Sequence, residues 1–231
     1  MGTNLVIAVD GPSGAGKSTT SMGVAKRLGL RYLDTGAMYR AVTCAFLDAG
    51  VDPSDKAGVI AATLGADLEI STDPSDQWVR VNGRDVTAAI RESEISAAVS
   101  AVSTLPECRE NLVARQRAII EAARPGIIAE GRDITTVVAP DAQVRLLLTA
   151  DPVKRMERRK RDLGGEIDEA ALTDQVLRRD RDDSTLVNFT TAADGVVTLD
   201  CTYLTLDETI DAVLELVART CGPDPLGASD G

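Results

Sequence analysis

The residues Gly11 to Ser18 (GPSGAGKS) carry the clearest chemical signal in the chain, because they fit the pattern G-x-x-x-x-G-K-[ST]. Loops of this pattern bind nucleotide phosphates through backbone N–H groups, since glycine permits left-handed turns and a close approach of the main chain. The pattern predicts that Lys17 reaches the β- and γ-phosphates and that the Ser18 hydroxyl binds Mg²⁺. The residues expected to bind the phosphate donor are Gly11, Pro12, Ser13, Gly14, Ala15, Gly16, Lys17, Ser18 and Thr19.

Two further polar clusters each follow a predicted strand. In the segment 34–40 (DTGAMYR), Thr35 is predicted to be a helix N-cap and Arg40 falls in the first turns of that helix. A hydroxyl, a helix N-terminus and a guanidinium there would form a second anion site, and an ordinary cap beside a solvated arginine is the alternative. The segment 130–133 (EGRD) lies just past a strand end, where open α/β sheets bind ligands, and a surface ion pair is the alternative.

The charge balance indicates which partners to expect. The net charge of −11 and a pI of about 4.6 argue against a general nucleic-acid or membrane-surface binder. Positive charge is instead gathered in two clusters, within 154–161 and 178–181. Clusters of this kind suit an anionic small-molecule substrate, although a solvated, salt-bridged helix face is the alternative for the second cluster.

Histidine and cysteine usage restricts the chemistry further. The sequence contains no histidine, which excludes histidine general bases, phosphohistidine and histidine metal sites. Its four cysteines form no C-x-x-C pair, so we expect small buried thiols in a reducing cytosol and not a disulfide framework or zinc site. No segment is apolar for long enough to span a bilayer, and the N-terminus lacks a signal pattern, so we expect a cytoplasmic protein.

Strand and helix patterns alternate along the chain, which predicts an α/β fold with a five-stranded parallel sheet flanked by helices. The predicted core strands are 4–9, 31–33, 127–129, 144–148 and 196–199. The predicted helices are 19–28, 36–49, 56–64, one beginning at 92, 106–123 and 206–219, with a charged helical region over 153–183 interrupted at Gly164-Gly165. Short alternating segments at 68–70, 78–81 and 85–86, with a tight turn at Asn82-Gly83, predict a small antiparallel insert over residues 66–90.

Taken together, these motifs resemble those of the bacterial cytidylate kinases, a family of nucleoside monophosphate kinases with a phosphate-binding loop. The resemblance extends from Leu5 to about Arg219. It rests on segment 34–40, Ser100 with Pro106 and Arg109, segment 131–133, segment 179–184 and the insert. It implies a single kinase domain over 1–221, with a core of about 1–65, 91–150 and 184–221 and a helical lid region at about 151–183. The tail at 222–231 is rich in Pro, Gly and Asp, which predicts that it is disordered.

The resemblance implies transfer of the γ-phosphoryl group of ATP, with Mg²⁺, to CMP or dCMP in pyrimidine metabolism. By this resemblance Arg40, Arg132 and Arg179 grip the acceptor phosphate and the migrating phosphoryl group. Cytosine is read by Ser100, Arg109 and Asp133, the sugar is bound by Asp183, and Thr35 and Tyr39 belong to the acceptor site. The lid arginines that close over ATP are Arg155, Arg158 and Arg159, and Arg155 and Arg159 can share one helical face because they are four residues apart.

The chain departs from the family pattern at two places. Thr135 stands where the family commonly has glycine, two residues after the Arg-Asp of the third motif. Leu186 stands where many members have an arginine, three residues after the sugar-binding aspartate.

Two other functions remain open at this point. A GTP-dependent switch would normally carry Asn-Lys-x-Asp, and this chain has no Asn-Lys pair. A kinase for another small acceptor, such as shikimate, UMP, or CMP and UMP together, would keep the loop but change the acceptor motifs. In each case we expect a monomer that binds neither a nucleic-acid polymer nor a membrane.

Overall fold

A computed structural model describes residues 4–162 and 191–226. Its strands are β1 (Leu5–Asp10), β2 (Arg31–Asp34), β3 (Leu68–Ile70), β4 (Val79–Val81), β5 (Arg84–Asp85), β6 (Gly126–Gly131), β7 (Val144–Thr149) and β8 (Val197–Asp200). Its α-helices are α1 (Lys17–Leu28), α2 (Thr35–Asp48), α3 (Lys56–Gly65), α4 (Ser93–Ala98), α5 (Ser100–Ser103), α6 (Pro106–Ala122), α7 (Pro152–Asp162) and α8 (Leu206–Cys221). A 3₁₀ turn covers Ala89–Arg91 and a π-helical turn covers Ile134–Val138.

Five parallel strands form the central sheet, in the order β2-β6-β1-β7-β8. β1 lies in the middle and is almost completely buried, as its unbroken apolar run predicts for a strand covered on both faces. The α/β fold with a five-stranded parallel sheet is therefore confirmed. In doubly wound sheets, ligands bind at the point where the strand order reverses. Here the strand order reverses at β1, so the loop that follows β1 lies where a ligand is expected.

Each face of the sheet has its own apolar core. On one face α1 and α8 pack together, and a Cβ added to Gly23 of α1 would lie only 2.3 Å from Cδ1 of Ile210 in α8. On the other face, Met38 and Phe46 of α2 pack with Leu112 of α6. The helix that follows the phosphate loop is therefore held by close backbone packing against the C-terminal helix.

The predicted antiparallel insert is present as a three-stranded sheet in the order β3-β4-β5. Asn82 and Gly83 both have positive φ, 52° and 76°, as the tight hairpin turn requires. Val79 and Val81 of β4 are buried in the core beside α2, while Arg80 on the opposite side lies 4.8 Å from the centroid of the Trp78 ring. The insert is thus anchored to the core through the buried valines of β4, with Leu68 and Ile70 of β3 and Val86 packed against the same core.

Some predicted features lie outside the described residues: the charged region from 163 to 183, the cluster at 178–181 and Leu186. Of the tail that was predicted to be disordered, residues 222–226 are described, and Leu226 packs partly against the core around α8. None of the helices in the described ranges combines the length and apolar character needed to cross a membrane.

Candidate active site

A cavity of about 450 Å³ lies at the carboxyl ends of β1, β2 and β6. The phosphate loop forms one end, and α4, α5 and the 3₁₀ turn form the other. The cavity brings together many of the residues that the sequence predicted for donor and acceptor binding, namely Ser13, Gly14, Gly16, Lys17, Ser18, Thr19, Thr35, Tyr39, Arg40, Arg109, Arg132 and Asp133.

The phosphate loop is threaded tightly between neighbouring backbone segments. A Cβ at Gly11 would lie 2.2 Å from the carbonyl oxygen of Leu148, and one at Gly14 would lie 2.6 Å from the carbonyl oxygen of Arg155. Only glycine fits at both positions. Lys17 Nζ donates to the carbonyl of Pro12 at 3.1 Å, which holds the ammonium group across the loop at the N-terminus of α1. A helix N-terminus and an ammonium group together favour a bound phosphate.

A buried carboxylate lies beneath this loop. Glu130, at the end of β6, is 3% exposed and accepts a hydrogen bond from the Tyr32 hydroxyl at 2.7 Å. Burial raises the pKa of Glu130, the nearby Asp34 raises it further, and Lys17 and a hydrogen bond with the Ser18 hydroxyl oppose the shift. Glu130 therefore lies close to the Ser18 hydroxyl, which the sequence pattern predicts to bind Mg²⁺.

The start of α2 differs from the prediction that Thr35 is the N-cap. Asp34 is the N-cap, because its backbone is extended and its Oδ1 accepts from the N–H of Ala37 at 2.8 Å. Thr35 is the first helical residue, and its hydroxyl donates to the carbonyl of Glu130 at 2.7 Å. Thr35 therefore links β2 to β6, while the cap carboxylate pairs with Arg40 at 3.2 Å.

Two neighbouring side chains in the loop after β6, one basic and one acidic, form hydrogen bonds with different partners. Arg132 Nη1 donates to the carbonyl of Gly11 at 3.3 Å, so its guanidinium lies beside the phosphate loop. Asp133 Oδ2 accepts from Arg109 Nη2 of α6 at 2.5 Å, and its side chain is only 7% exposed. Asp133 is therefore part of a long-range, mostly buried ion pair with Arg109, which the alternative of a surface ion pair within this loop did not include.

The predicted lid arginines whose side chains are described lie behind the phosphate loop. Arg155 Nη1 donates to the carbonyl of Ser13 at 3.0 Å. Arg158 donates to the carbonyl of Cys201 at 2.7 Å and to that of Ala15 at 3.4 Å. The side chain of Arg159 and the whole of Arg179 and Asp183 lie outside what the structure describes.

Comparison with known proteins decides the family. A family model described as cytidylate kinase matches residues 7–219. A cytidylate kinase of Cutibacterium acnes is 52% identical over 217 residues, which cover 94% of this chain and 97% of that protein. Cytidylate kinases of Nocardia farcinica and Corynebacterium glutamicum are 48% and 46% identical and cover 94% and 92% of this chain, and 95% and 94% of those proteins, respectively. The chain belongs to the cytidylate kinase family. The predicted resemblance is therefore confirmed.

Within this member of the cytidylate kinase family, Ser100 does not form part of the cavity wall. The wall is formed instead by Ser96, Val99 and Ser103, whose spacing puts them on one helical face across α4 and α5. The assignment of Ser100 to cytosine rests on the family motif alone, and the geometry offers its neighbours Ser96 and Ser103 to a ligand in this cavity.

Sequence reasoning assigned no role to several residues that the cavity contains. Asp34 and Glu130 lie within motifs noted in the sequence, and their position could have indicated a role at the site. Each is an acidic residue next to the carboxyl end of a core strand. Gln77 and Arg91 reach the cavity from the insert and from the 3₁₀ turn. Their contribution depends on how the insert packs, and no local motif marks it.

The possible metal ligands at this site suit a magnesium ion bound together with a nucleotide better than a metal ion held by protein residues alone. Within residues 4–162 and 191–226, no group of three or more Cys, Asp or Glu residues could hold a metal ion. Magnesium usually binds to one or two protein oxygens together with substrate phosphates and water. Ser18, close to Glu130, provides a hydroxyl of this kind at the mouth of the phosphate loop.

Proposed function

We propose that the protein is a cytidylate kinase that transfers the γ-phosphoryl group of ATP to CMP or dCMP, giving ADP and CDP or dCDP. One observation carries the proposal: a single cavity joins the phosphate loop to a set of cationic and acidic side chains suited to a second nucleotide. A donor and an acceptor bound at its two ends would face each other with no strand or helix between them.

The acceptor end has the charges that a nucleoside monophosphate requires. Arg132 lies beside the phosphate loop and Arg40 lines the same cavity, so both could contact an acceptor phosphate placed for transfer. Further along the cavity, Asp133 and Arg109 offer an acceptor and donors for a base edge. Cytosine has an exocyclic amino group that donates to a carboxylate, whereas uracil places a carbonyl oxygen at that position.

The reaction needs no imidazole, which agrees with a sequence that has no histidine. The nucleophile is an oxygen of the acceptor phosphate, whose second pKa is about 6, so it is already ionised at neutral pH. The O–P bond forms at the γ-phosphorus while the bond to the β–γ bridging oxygen breaks, and ADP leaves. The task of the protein is to align two polyanions and to neutralise their charge.

Individual residues have distinct parts in this task. Lys17 and Arg132 would neutralise charge on the transferring group, and Arg40 would give up part of its interaction with Asp34 to bind the acceptor phosphate. Magnesium, when bound through Ser18 and the donor phosphates, would neutralise further negative charge. The predicted residues Arg159, Arg179 and Asp183 would complete the lid, phosphate and sugar contacts.

An assay of ADP release, run with ATP and each common nucleoside monophosphate, tests the proposal. We expect CMP and dCMP to be preferred strongly over AMP and GMP. A kcat/KM for AMP equal to that for CMP would overturn it. UMP is the informative comparison, because a dual CMP/UMP kinase would show similar values for both pyrimidines.

A further inference from the structure

The Asp10 carboxylate is not part of the cavity wall. Its side-chain hydrogen bonds all go to the loop that carries two of the residues lining the cavity. Asp10 is the last residue of β1, directly before the phosphate loop, and is 3% exposed. Its Oδ1 accepts from the N–H of Ile134 at 2.7 Å. Its Oδ2 accepts from the N–H of Thr135 at 2.9 Å and from the Thr135 hydroxyl at 2.5 Å. These partners come directly after Arg132 and Asp133.

The bonds to Asp10 cap a short helical turn. Ile134–Val138 is π-helical, and the N–H groups of Val137 and Val138 both donate to the carbonyl of Asp133, at 2.8 and 3.1 Å. The first N–H groups of any helix have no partner within it, and here the Asp10 carboxylate accepts from the first two. The backbone leading into this turn is therefore fixed relative to β1.

Thr135 is the unusual member of this arrangement. Its side chain is buried, and its hydroxyl makes the third hydrogen bond to Asp10, where a glycine could offer only its N–H. Burial raises the pKa of Asp10, and the hydrogen bonds from Thr135 oppose that shift. The Thr135 hydroxyl thus stabilises the ionised carboxylate that does the capping.

We propose that Asp10 and Thr135 are positioning residues for phosphoryl transfer, which hold Arg132 and Asp133 in register with a donor bound on the phosphate loop. The inference rests on the proposed function. Asp10 is adjacent to Gly11, and Arg132 Nη1 donates to the carbonyl of Gly11 at 3.3 Å, so the anchor holds the arginine in place relative to the phosphate loop beside it. Loosening the anchor displaces Arg132 without removing any group that touches substrate.

Thr135→Val tests this, because it removes the hydroxyl while keeping the shape of the side chain. We expect kcat/KM for CMP to fall about tenfold while KM for ATP stays within about twofold, since misplaced catalytic groups are costly and the phosphate loop is intact. Thr135→Ser, which restores the hydroxyl, should recover most of the loss. Thr209→Val is the matched control: Thr209 is also buried and its hydroxyl donates to the carbonyl of Thr205 at 2.7 Å, far from the cavity in α8.

A double-mutant cycle separates positioning from mere stability. In an Arg132→Met background, Thr135→Val should cost less than about threefold, because the group being positioned is gone. An equal loss in both backgrounds, or a fall in thermal stability with unchanged kcat/KM, would overturn the inference. Asp10→Asn provides a second variant if Thr135→Val does not fold, and it should produce the same loss of kcat/KM for CMP.

Failure of the proposed function would look different. A wild-type protein that phosphorylates no cytidine nucleotide would reject that function, and amide hydrogen exchange of the ligand-free protein would still test the anchor. Thr135→Val should speed exchange at residues 134–138 about tenfold relative to Thr209→Val, and equal exchange in the two variants would reject the anchor.

Discussion

Asp133 Oδ2 accepts a hydrogen bond from Arg109 Nη2 at 2.5 Å, which joins the loop after β6 to helix α6. Arg109 is itself part of the cavity wall. A ligand in the cavity would therefore meet both side chains as one unit, in which the guanidinium fixes the direction of the carboxylate. Replacing either residue alters the surface offered by the other.

Asp133→Asn should narrow the preference for CMP over UMP. An ionised carboxylate only accepts hydrogen bonds, whereas the amide can turn and donate to the uracil carbonyl. A matching contact of this kind is worth about 1–3 kcal/mol of discrimination between bases. The kcat/KM values of CMP and UMP should be measured in parallel. An equal loss for both would mean that Asp133 only orients Arg109.

Lys17→Ala should nearly abolish turnover and leave the fold intact. The ammonium group lies across the phosphate loop, and loss of a cation at a developing negative charge costs several kcal/mol, or roughly 10³-fold in rate. Lys26→Ala, an exposed position in the last turn of the same helix, is the matched control and should keep normal turnover. Circular dichroism should be recorded for both. Near-normal kcat in the Lys17 variant would reject the role.

Arg132→Met should slow CMP and dCMP alike, by about 10³-fold if it acts as arginine fingers do. Its guanidinium lies beside the phosphate loop and not on the base-facing pair, so it should not affect base choice. We expect the same of Arg179→Met. Arg31→Met is the control, because Arg31 is exposed at the amino end of β2, the opposite end of the sheet from the cavity. A changed CMP:UMP ratio with little loss of rate would contradict this prediction.

Arg155→Met should raise KM for ATP about five- to tenfold and leave KM for CMP unchanged, as expected for loss of a charged hydrogen bond. Arg155 is buried behind the phosphate loop and donates to the carbonyl of Ser13 at 3.0 Å. Its neighbour Lys154, which pairs with Glu157 at the surface, gives the control variant Lys154→Met. Equal increases in both KM values would point to a general loss of structure.

Asp10→Asn should change how stability depends on pH. The pKa of Asp10 in the folded protein is raised above its ordinary value of 3.8. The contribution of Asp10 to the free energy of unfolding is therefore complete below pH 3.8, and it is lost as the pH rises through the pKa of the folded state. The asparagine variant lacks this loss. The free energy of unfolding of the variant minus that of the wild type should therefore rise with pH, by up to about 1.4 kcal/mol per pH unit. Urea unfolding at several pH values measures it, and a difference that does not vary with pH would contradict it.

Local sequence patterns were sufficient to predict the sheet, the phosphate loop and the insert. The apolar run of β1, the glycines of the loop and the Asn82-Gly83 turn each determine their structure over a few neighbouring residues. The N-cap of α2 was harder, because Asp34 and Thr35 are both good capping residues. Only the pairing of β2 with β6 shows that the Thr35 hydroxyl is engaged by Glu130 and that Asp34 provides the cap.

Contacts distant in sequence could not be predicted. Arg109 and Asp133 are paired, and Asp10 is bonded to Thr135, across 24 and 125 residues respectively. The cavity wall formed by Ser96 and Ser103 depends on how α4 and α5 dock against α2, which the polarity of those short helices does not determine. Such contacts follow from the topology of the sheet and not from any one segment.

The insert also supplies an optical reporter. Trp78 is the only tryptophan in the chain, it directly precedes β4, and the residue before it, Gln77, lines the cavity. Arg80 lies over its ring, so the emission of the indole is sensitive to any shift that separates the two. Intrinsic fluorescence excited selectively at tryptophan therefore reads out one edge of the cavity without any label. Titration with CMP alone, and then with a donor analogue, would show whether this edge of the cavity moves when the first nucleotide binds or only when the second one binds.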